Sequence, residues 1–232
     1  MKTIICSLIF IFVSLAAMQI KAQENSSSSS KITVQAAQQE SNIWDVFKTR
    51  RSVRVFKPDS IPEADIKKII DAARMAPTSG NQQPWKFLII RDKIKINRME
   101  KSCIEKLLQR YEPANPQKIT KEKYEKMLRS RMENYFSAPV YIVVLTDNKS
   151  LYPDYNHWDG PLAGGYLMLA ARALGYGTVF ITDAIPESVT KEVLQIPDQY
   201  TRVCITPVGV PVEWPEMPPK KNLEDFIVYE KF

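Results

Sequence analysis

Residues 76–85 read Ala76-Pro77-Thr78-Ser79-Gly80-Asn81-Gln82-Gln83-Pro84-Trp85, a polar stretch that joins a helical pattern to an apolar run. Its hydroxyls and neutral amides donate and accept hydrogen bonds, so they suit a heterocycle with alternating carbonyl and N–H edges better than a metal ion or a simple anion. Gly80 permits a left-handed turn between the two prolines. The other interpretation of this stretch is an ordinary polar loop with Trp85 as its anchor.

A basic cluster lies upstream and reads Arg50-Arg51-Ser52-Val53-Arg54. Three guanidiniums and a hydroxyl within five residues can bind a phosphate dianion, because each planar fork contacts two oxygens. The cluster is followed by a short apolar segment, residues 53–56, where backbone N–H groups can also donate hydrogen bonds to the phosphate. A solvated basic face is the alternative. Together, the two stretches predict a ligand that carries a phosphate and also a polar ring that amide side chains can hydrogen-bond.

These two stretches, with Leu174-Gly175-Tyr176-Gly177, resemble the FMN-dependent nitroreductases, and the resemblance covers most of residues 41–232. It implies an α+β, three-layer fold with a mixed central sheet flanked by helices. It also implies a homodimer that exchanges its C-terminal extension and binds two FMN molecules at the subunit interface. The cofactor-binding residues implied in this way are Arg50, Arg51, Ser52, Arg54, Pro77, Thr78, Ser79, Asn81, Gln83, Thr182, Asp183 and Lys220.

The resemblance also assigns roles to these residues. The basic cluster holds the flavin from one protomer, and the residues at 77, 78, 79 and 81 reach it from the other. The charge of the phosphate or the reduced ring is neutralised by Arg50, Arg54 and Lys220, and Asn81 forms hydrogen bonds with the pyrimidine edge. Many relatives place a Glu-Gly pair near the reactive flavin nitrogen, where this chain has Thr182-Asp183.

The activity implied is a ping-pong, two-electron oxidoreductase that uses NAD(P)H to reduce nitroaromatic, quinone or related acceptors. One alternative is a flavin-binding protein without turnover, favoured by export because NAD(P)H is a cytoplasmic reductant. The other is a reductive dehalogenase or flavin-cleaving relative, with a substrate-covering lid between residues 109 and 134.

Other chemistries lack the residues they need. The single histidine, His157, excludes a histidine metal cluster and is expected in a loop that ends in an N-cap, which disfavours a catalytic triad. The chain has neither a G-x-G-x-x-G fingerprint nor a P-loop. No catalytic protein side chain is therefore predicted, and the chemistry must come from the cofactor.

Composition and local signals set the domain organisation. Residues 1–22 are predicted to be a signal peptide, with a retained membrane anchor as the alternative, so the protein is expected in the periplasm or outside the cell. Residues 23–40 are predicted to be a Ser-rich, disordered linker, and the resemblance implies that residues 41–232 are the FMN-binding domain. The net charge is +6, and the basic residues are interspersed with acidic ones, so nucleic acid is not an expected partner. Cys103, expected in a surface helix, and Cys204, expected in a buried strand, are predicted to be unpaired.

Apolar periodicity predicts the helices and strands of the mature domain. The predicted helices cover residues 41–48, 93–108, 120–134, 159–174 and 186–195, and a further helix begins with a capping box at 60–63. The predicted strands cover residues 87–90, 140–145, 178–181, 202–208 and 226–229. The helix at 159–174 is expected to be buried all round, with Gly164 and Gly165 allowing another backbone to approach.

Overall fold

The computed structural model describes residues 43–111 and 119–232. The chain divides into two units, residues 1–48 and residues 49–232. In the first unit the described residues belong to helix α1, which covers residues 43–49. The predicted signal peptide and linker, and part of the predicted lid, lie outside the described residues.

The second unit is built on a four-stranded sheet. Its strands are β1 (Trp85–Ile90), β2 (Val140–Asp147), β3 (Gly177–Thr178) and β4 (Tyr200–Gly209). Their order is β1-β2-β4-β3, and every neighbouring pair is antiparallel. The parallel component of the predicted mixed sheet is an isolated bridge between Ser52 and Thr178.

Helices cover both faces of this sheet. The helices are α2 (Glu63–Ala73), α3 (Lys93–Leu108), α4 (Lys121–Tyr135), α5 (Asn156–Ala173) and α6 (Glu187–Leu194). Apolar residues of α3, α4 and α6 pack with Tyr141, Val143 and Leu145 of β2. Residues of α2 and α5 pack with Val140, Ile142 and Val144 on the opposite face. This arrangement confirms the α+β, three-layer prediction.

The continuous apolar run of β2 explains its central position. Alternate side chains of a strand point to opposite faces, so a strand covered on both sides must be apolar throughout. Residues 140–144 of β2 are at most 1% exposed. On α2, the predicted apolar face is also present, because Ile66, Ile69 and Ala73 are buried.

Several predictions about individual helices and strands were wrong. Helix α2 has Pro62 as its N-cap and no side-chain cap, since Ser60 lies two residues too early to form a capping box. Of the predicted strand at residues 178–181, only Thr178 lies in a strand, β3, which begins one residue earlier at Gly177, and Ile181 forms a single bridge with Ile205. The predicted last strand is absent from the described residues, where Leu223–Phe226 is a 3-10 helix in an exposed tail.

Helix α5 differs from its prediction in two ways. It begins at Asn156, so His157 lies in the helix and not in a loop. It is not buried all round, because Trp158, Leu162 and Tyr166 are 57%, 44% and 41% exposed. These three residues are spaced four apart and form one apolar face, which we call the α5 face. Within the described ranges, no helix is long and apolar enough to cross a membrane.

Its two central glycines also differ from each other. A Cβ at Gly164 would lie 2.8 Å from a ring carbon of Phe180, so the close neighbour is a side chain and not a backbone. A Cβ at Gly165 meets nothing within 4 Å among the described residues. The predicted approach of another backbone is therefore found at neither glycine among the described residues, because Gly164 faces the side chains of Phe180 and Cys204 and Gly165 faces open space.

Candidate functional site

The polar loop at residues 77–83 is held in an uncommon backbone conformation. Residues 79–81 form a 3-10 turn, and Gly80, Asn81 and Gln83 have positive φ values of 56°, 56° and 48°. A Cβ at Gly80 would lie 2.5 Å from a ring carbon of Tyr152. The left-handed turn expected at Gly80 is therefore present, and the packed tyrosine ring adds a second reason for glycine there.

A buried carboxylate anchors this loop. Asp159, in the first turn of α5, accepts from the Ser79 backbone N–H through Oδ1 at 3.1 Å and from Gln82 Nε2 through Oδ2 at 2.7 Å. Gln82 also accepts from the Tyr152 backbone N–H at 2.7 Å and donates to the Tyr152 carbonyl at 3.0 Å. The amide of Gln82 therefore shapes the loop. Sequence reasoning missed the anchor, although an acidic residue in a first helical turn was a usable signal.

The two remaining amides of the loop face outward. Asn81 and Gln83 are exposed, and Gln83 Nε2 donates to Asn81 Oδ1 at 3.1 Å. Thr78 Oγ1 accepts from the Gln83 backbone N–H at 3.2 Å, which ties the hydroxyl to the turn. Pro77 is exposed and Ser79 half-buried beside them. The structure thus presents one small polar surface from residues 77, 78, 79, 81 and 83.

The basic cluster lies along the opposite edge of the sheet. The Val53 backbone N–H donates to the Thr178 carbonyl at 3.0 Å, and the Val53 side chain is buried against Gly177. Arg54 is exposed, and its Nη1 donates to the Ser52 carbonyl at 3.1 Å. Arg51 Nη1 donates to the carbonyl of Arg50 at 2.8 Å. The predicted residues 50, 51, 52 and 54 thus share one short segment.

Within one protomer the polar loop and the basic cluster occupy diagonally opposite corners of the sheet. The loop ends at Trp85, which pairs with Thr146, whereas Thr178 beside the cluster pairs with Val208, which pairs with Val140. Thr146 and Val140 are six residues apart along β2, about 20 Å at strand spacing. The cluster lies one position beyond β3, so four strand spacings, about 19 Å, also separate the two corners.

The other predicted residues occupy separate positions. Thr182 and Asp183 are exposed after the bridge at Ile181, and the Thr182 carbonyl accepts from Arg202 Nη2 at 2.5 Å. Burial lowers the pKa of Arg202, and the nearby Glu187 opposes that shift. Lys220 lies in the exposed C-terminal tail.

The thiols and the histidine offer no second reactive centre. Cys103 and Cys204 are unpaired, as predicted, and both are buried, Cys103 on the core side of helix α3 and Cys204 in strand β4. Burial raises the pKa of each thiol to about 12, which keeps both protonated and unreactive near neutral pH. The described residues contain no group of side chains that could hold a metal ion. His157 is exposed and lies 4.0 Å from the Trp158 ring, centroid to centroid.

The fold and the two polar stretches are those of a known family of flavoproteins. The sequence model of the Nitroreductase family matches residues 47–210, and the chain therefore belongs to the nitroreductase family.

Its relatives differ in what they do. A "Putative NADH dehydrogenase/NAD(P)H nitroreductase" of Archaeoglobus fulgidus is 32% identical over 70% of this chain and 82% of its own length. Iodotyrosine deiodinase of Thermotoga neapolitana is 31% identical over 73% of this chain and 88% of its own length. A solved structure of oxidized iodotyrosine deiodinase bound to FMN and 3-iodo-L-tyrosine has a TM-score of 0.67 and is 26% identical, covering 82% of this chain and all of that one.

Proposed function

We propose that this protein is an exported, homodimeric FMN-dependent oxidoreductase that reduces nitroaromatic, quinone or related acceptors with NAD(P)H as the donor. The observation that carries the proposal is the separation of the polar loop from the basic cluster. Each presents exposed polar groups, yet about 20 Å along the strands and about 19 Å across them keep the two apart in one protomer. A second copy of the chain can bring one stretch to the other.

The chemistry of the donor set fits FMN. The guanidiniums of Arg50, Arg51 and Arg54 suit a phosphate or an electron-rich ring edge. The exposed amides of Asn81 and Gln83 can donate and accept at once, as the pyrimidine edge of a flavin requires. When bound, FMN would supply the redox chemistry, and these residues would bind and orient it. The FMN seen with a related deiodinase supports this assignment.

Two exposed apolar surfaces support the homodimer. The α5 face presents Trp158, Leu162 and Tyr166, and Gly165 on the same helix has open space above it. The tail carries further exposed large apolar residues, namely Trp214, Met217, Leu223, Phe226, Ile227, Val228, Tyr229 and Phe232. Exposed large apolar side chains grouped on one helix face and in one tail favour an interface, because large exposed apolar patches commonly mark sites of association. A second copy would cover both.

The first experiment identifies the cofactor and the assembly. The purified mature chain should be yellow, release FMN rather than FAD on denaturation, and sediment as two chains. Removal of residues 224–232 should weaken the dimer. A monomer that binds FMN tightly contradicts the shared site.

The second experiment tests the reaction. One flavin site without a separate dinucleotide domain requires the donor to leave before the acceptor enters, so initial rates should give parallel double-reciprocal lines. Intersecting lines contradict the shared cleft. Absorbance that no donor bleaches would favour a flavin-binding protein without turnover.

Reductive dehalogenation is the second candidate function, because two of the three similar proteins described above are iodotyrosine deiodinases. The discriminating assay supplies a halogenated phenol and a nitroaromatic to the same reduced enzyme and follows halide release against loss of the nitro group. Thr182→Glu should change the preference for donor or acceptor and leave FMN bound, because Thr182 is exposed and only its carbonyl is held. Sequencing the N-terminus of the mature protein tests export.

A further inference from the structure

We infer that Tyr135 is a positioning residue for Arg54, holding its guanidinium in the orientation that the cofactor needs. Arg54 Nε donates to the Tyr135 hydroxyl at 3.2 Å, and the guanidinium carbon lies 6.0 Å from the centroid of the Tyr135 ring. The inference rests on the proposed function, in which Arg54 binds FMN. It adds a residue from α4 to a site otherwise built from the basic cluster, the polar loop and segments that follow α5.

The contacts of Arg54 leave one nitrogen for a ligand. Nε is bonded to Tyr135 and Nη1 to the Ser52 carbonyl at 3.1 Å. Nη2 has no hydrogen bond to any residue in the described ranges, so it is available to an oxygen of the cofactor. An exposed arginine has many rotamers, and ordering it on binding costs free energy. Two bonds formed in advance reduce that cost, which is the advantage of preorganisation.

Tyr135 can do this because the protein fixes Tyr135 itself. It is the last residue of α4 and is half-buried. Its carbonyl accepts from the hydroxyl of Tyr141 at 2.9 Å, and that hydroxyl also accepts from the Ala138 backbone N–H at 3.2 Å. Tyr141 lies in β2 and is fully buried, and its burial raises its pKa, so the hydroxyl stays a neutral donor.

The backbone around Arg54 is fixed at both ends. Before it, the Val53 N–H donates to the Thr178 carbonyl at 3.0 Å. After it, the Phe56 N–H donates to Ser137 Oγ at 3.1 Å, and Ser137 Oγ donates to the Asn134 carbonyl at 2.8 Å. The end of α4 and the basic cluster are therefore tied together by the hydrogen bond from the Phe56 N–H to the Ser137 hydroxyl and by the Tyr135–Arg54 pair. The hydroxyl of Tyr135 is the part of this link that reaches a cofactor-binding side chain.

The test is Tyr135→Phe in the mature chain. This change keeps the ring and its packing and removes only the hydroxyl. The affinity of flavin-free protein for added FMN, measured by quenching of FMN fluorescence, should fall about three- to tenfold, the range for loss of one ordinary hydrogen bond. The urea midpoint of the flavin-free protein should stay at its original value. Tyr124→Phe on the same helix is the matched control, since the Tyr124 ring packs on Tyr111 away from Arg54, and it should bind FMN as the unmodified protein does.

A double-mutant cycle with Arg54→Ala separates positioning from general stability. Arg54→Ala alone should weaken FMN binding, and adding Tyr135→Phe should then have no further effect, because the residue it acts through is gone. Additive losses, or a Tyr135→Phe variant that binds FMN normally while Arg54→Ala does not, would overturn the inference and leave the proposed function standing. A protein that binds no FMN in any form would overturn both.

Discussion

Replacing Asp159 with asparagine tests how the polar loop is held. Two oxygens of the Asp159 carboxylate serve two donors, the Ser79 N–H at 3.1 Å and Gln82 Nε2 at 2.7 Å. An asparagine has one acceptor oxygen, and its NH₂ group would face the second donor. Each hydrogen bond to a charged acceptor contributes about 1.5–3 kcal/mol, and a carboxylate in a first helical turn adds about 0.3–1 kcal/mol. The asparagine can still accept one of the two hydrogen bonds, and it is neutral, so the cost of burying a carboxylate disappears. Both effects offset part of the loss, and we expect a net destabilisation of about 2–3 kcal/mol.

The assay is urea unfolding of the flavin-free protein at neutral pH, followed by circular dichroism. Asp154→Asn is the matched control, because Asp154 is exposed in the preceding 3-10 turn and its replacement changes the net charge equally. That control should shift the free energy of unfolding by less than about 0.5 kcal/mol. Asp159→Asn should also weaken FMN binding, since Asn81 and Gln83 lie on the loop that it releases. If Asp159→Asn unfolds at the same urea concentration as Asp154→Asn, the anchoring argument is refuted.

Four further predictions concern the cluster, the two α5 glycines and the thiols. Arg50→Ala should lose most of the flavin, because a charge-assisted phosphate contact contributes about 1.5–3 kcal/mol, and full flavin content in the purified variant would remove Arg50 from the site. Gly164→Ala should destabilise the folded chain by about 1–3 kcal/mol because its Cβ would press on Phe180. Gly165→Ala should leave the fold intact and weaken self-association measured by sedimentation; unchanged association would place the dimer seam elsewhere. The raised pKa of Cys103 and Cys204, about 12 each, means that the unfolded chain loses these protons first as the pH rises above about 8.5, so stability should fall between there and pH 12. Urea midpoints measured from pH 7 to 10 should show less decline when both cysteines are replaced by alanine, and an equal decline would contradict the assignment.

The sequence was most informative where one hydrophobic pattern runs through a whole element. The apolar run at 140–145 predicted a strand covered on both faces, which is β2, and helix α3 was predicted with its observed limits, Lys93–Leu108. Boundaries were less certain where tertiary contacts override local preference. Asn156 begins α5 three residues before the predicted start, and its side chain donates to the Asp147 carbonyl at 2.9 Å. The tail was predicted to contain a strand because Phe226–Tyr229 is apolar, but a strand needs a neighbour, and sequence alone cannot supply one.

For the candidate site, the residue types could be predicted from the sequence, but the role of each individual residue could not. Three consecutive amides carry the same chemistry, yet Gln82 is bonded to Asp159 and Tyr152 while Asn81 and Gln83 face outward. Asn81 and Gln83 also have positive φ values whereas Gln82 does not, and Tyr152, a hydrogen-bond partner of Gln82, packs against Gly80 in the same turn. Tyr135 carried no signal, since its partner Arg54 is 81 residues away in sequence.

The separation of the polar loop from the basic cluster has a genetic consequence under the proposed function. One gene copy could carry Arg50→Ala and another Asn81→Ala, and each alone would give a dimer with two damaged sites. In a mixed dimer, one site contains both substituted residues and the other site contains neither. Equal expression with random pairing makes half of the dimers mixed, so roughly a quarter of all sites would be restored. Two inactive alleles would therefore complement each other in one cell, whereas a site contained within a single chain would give no rescue.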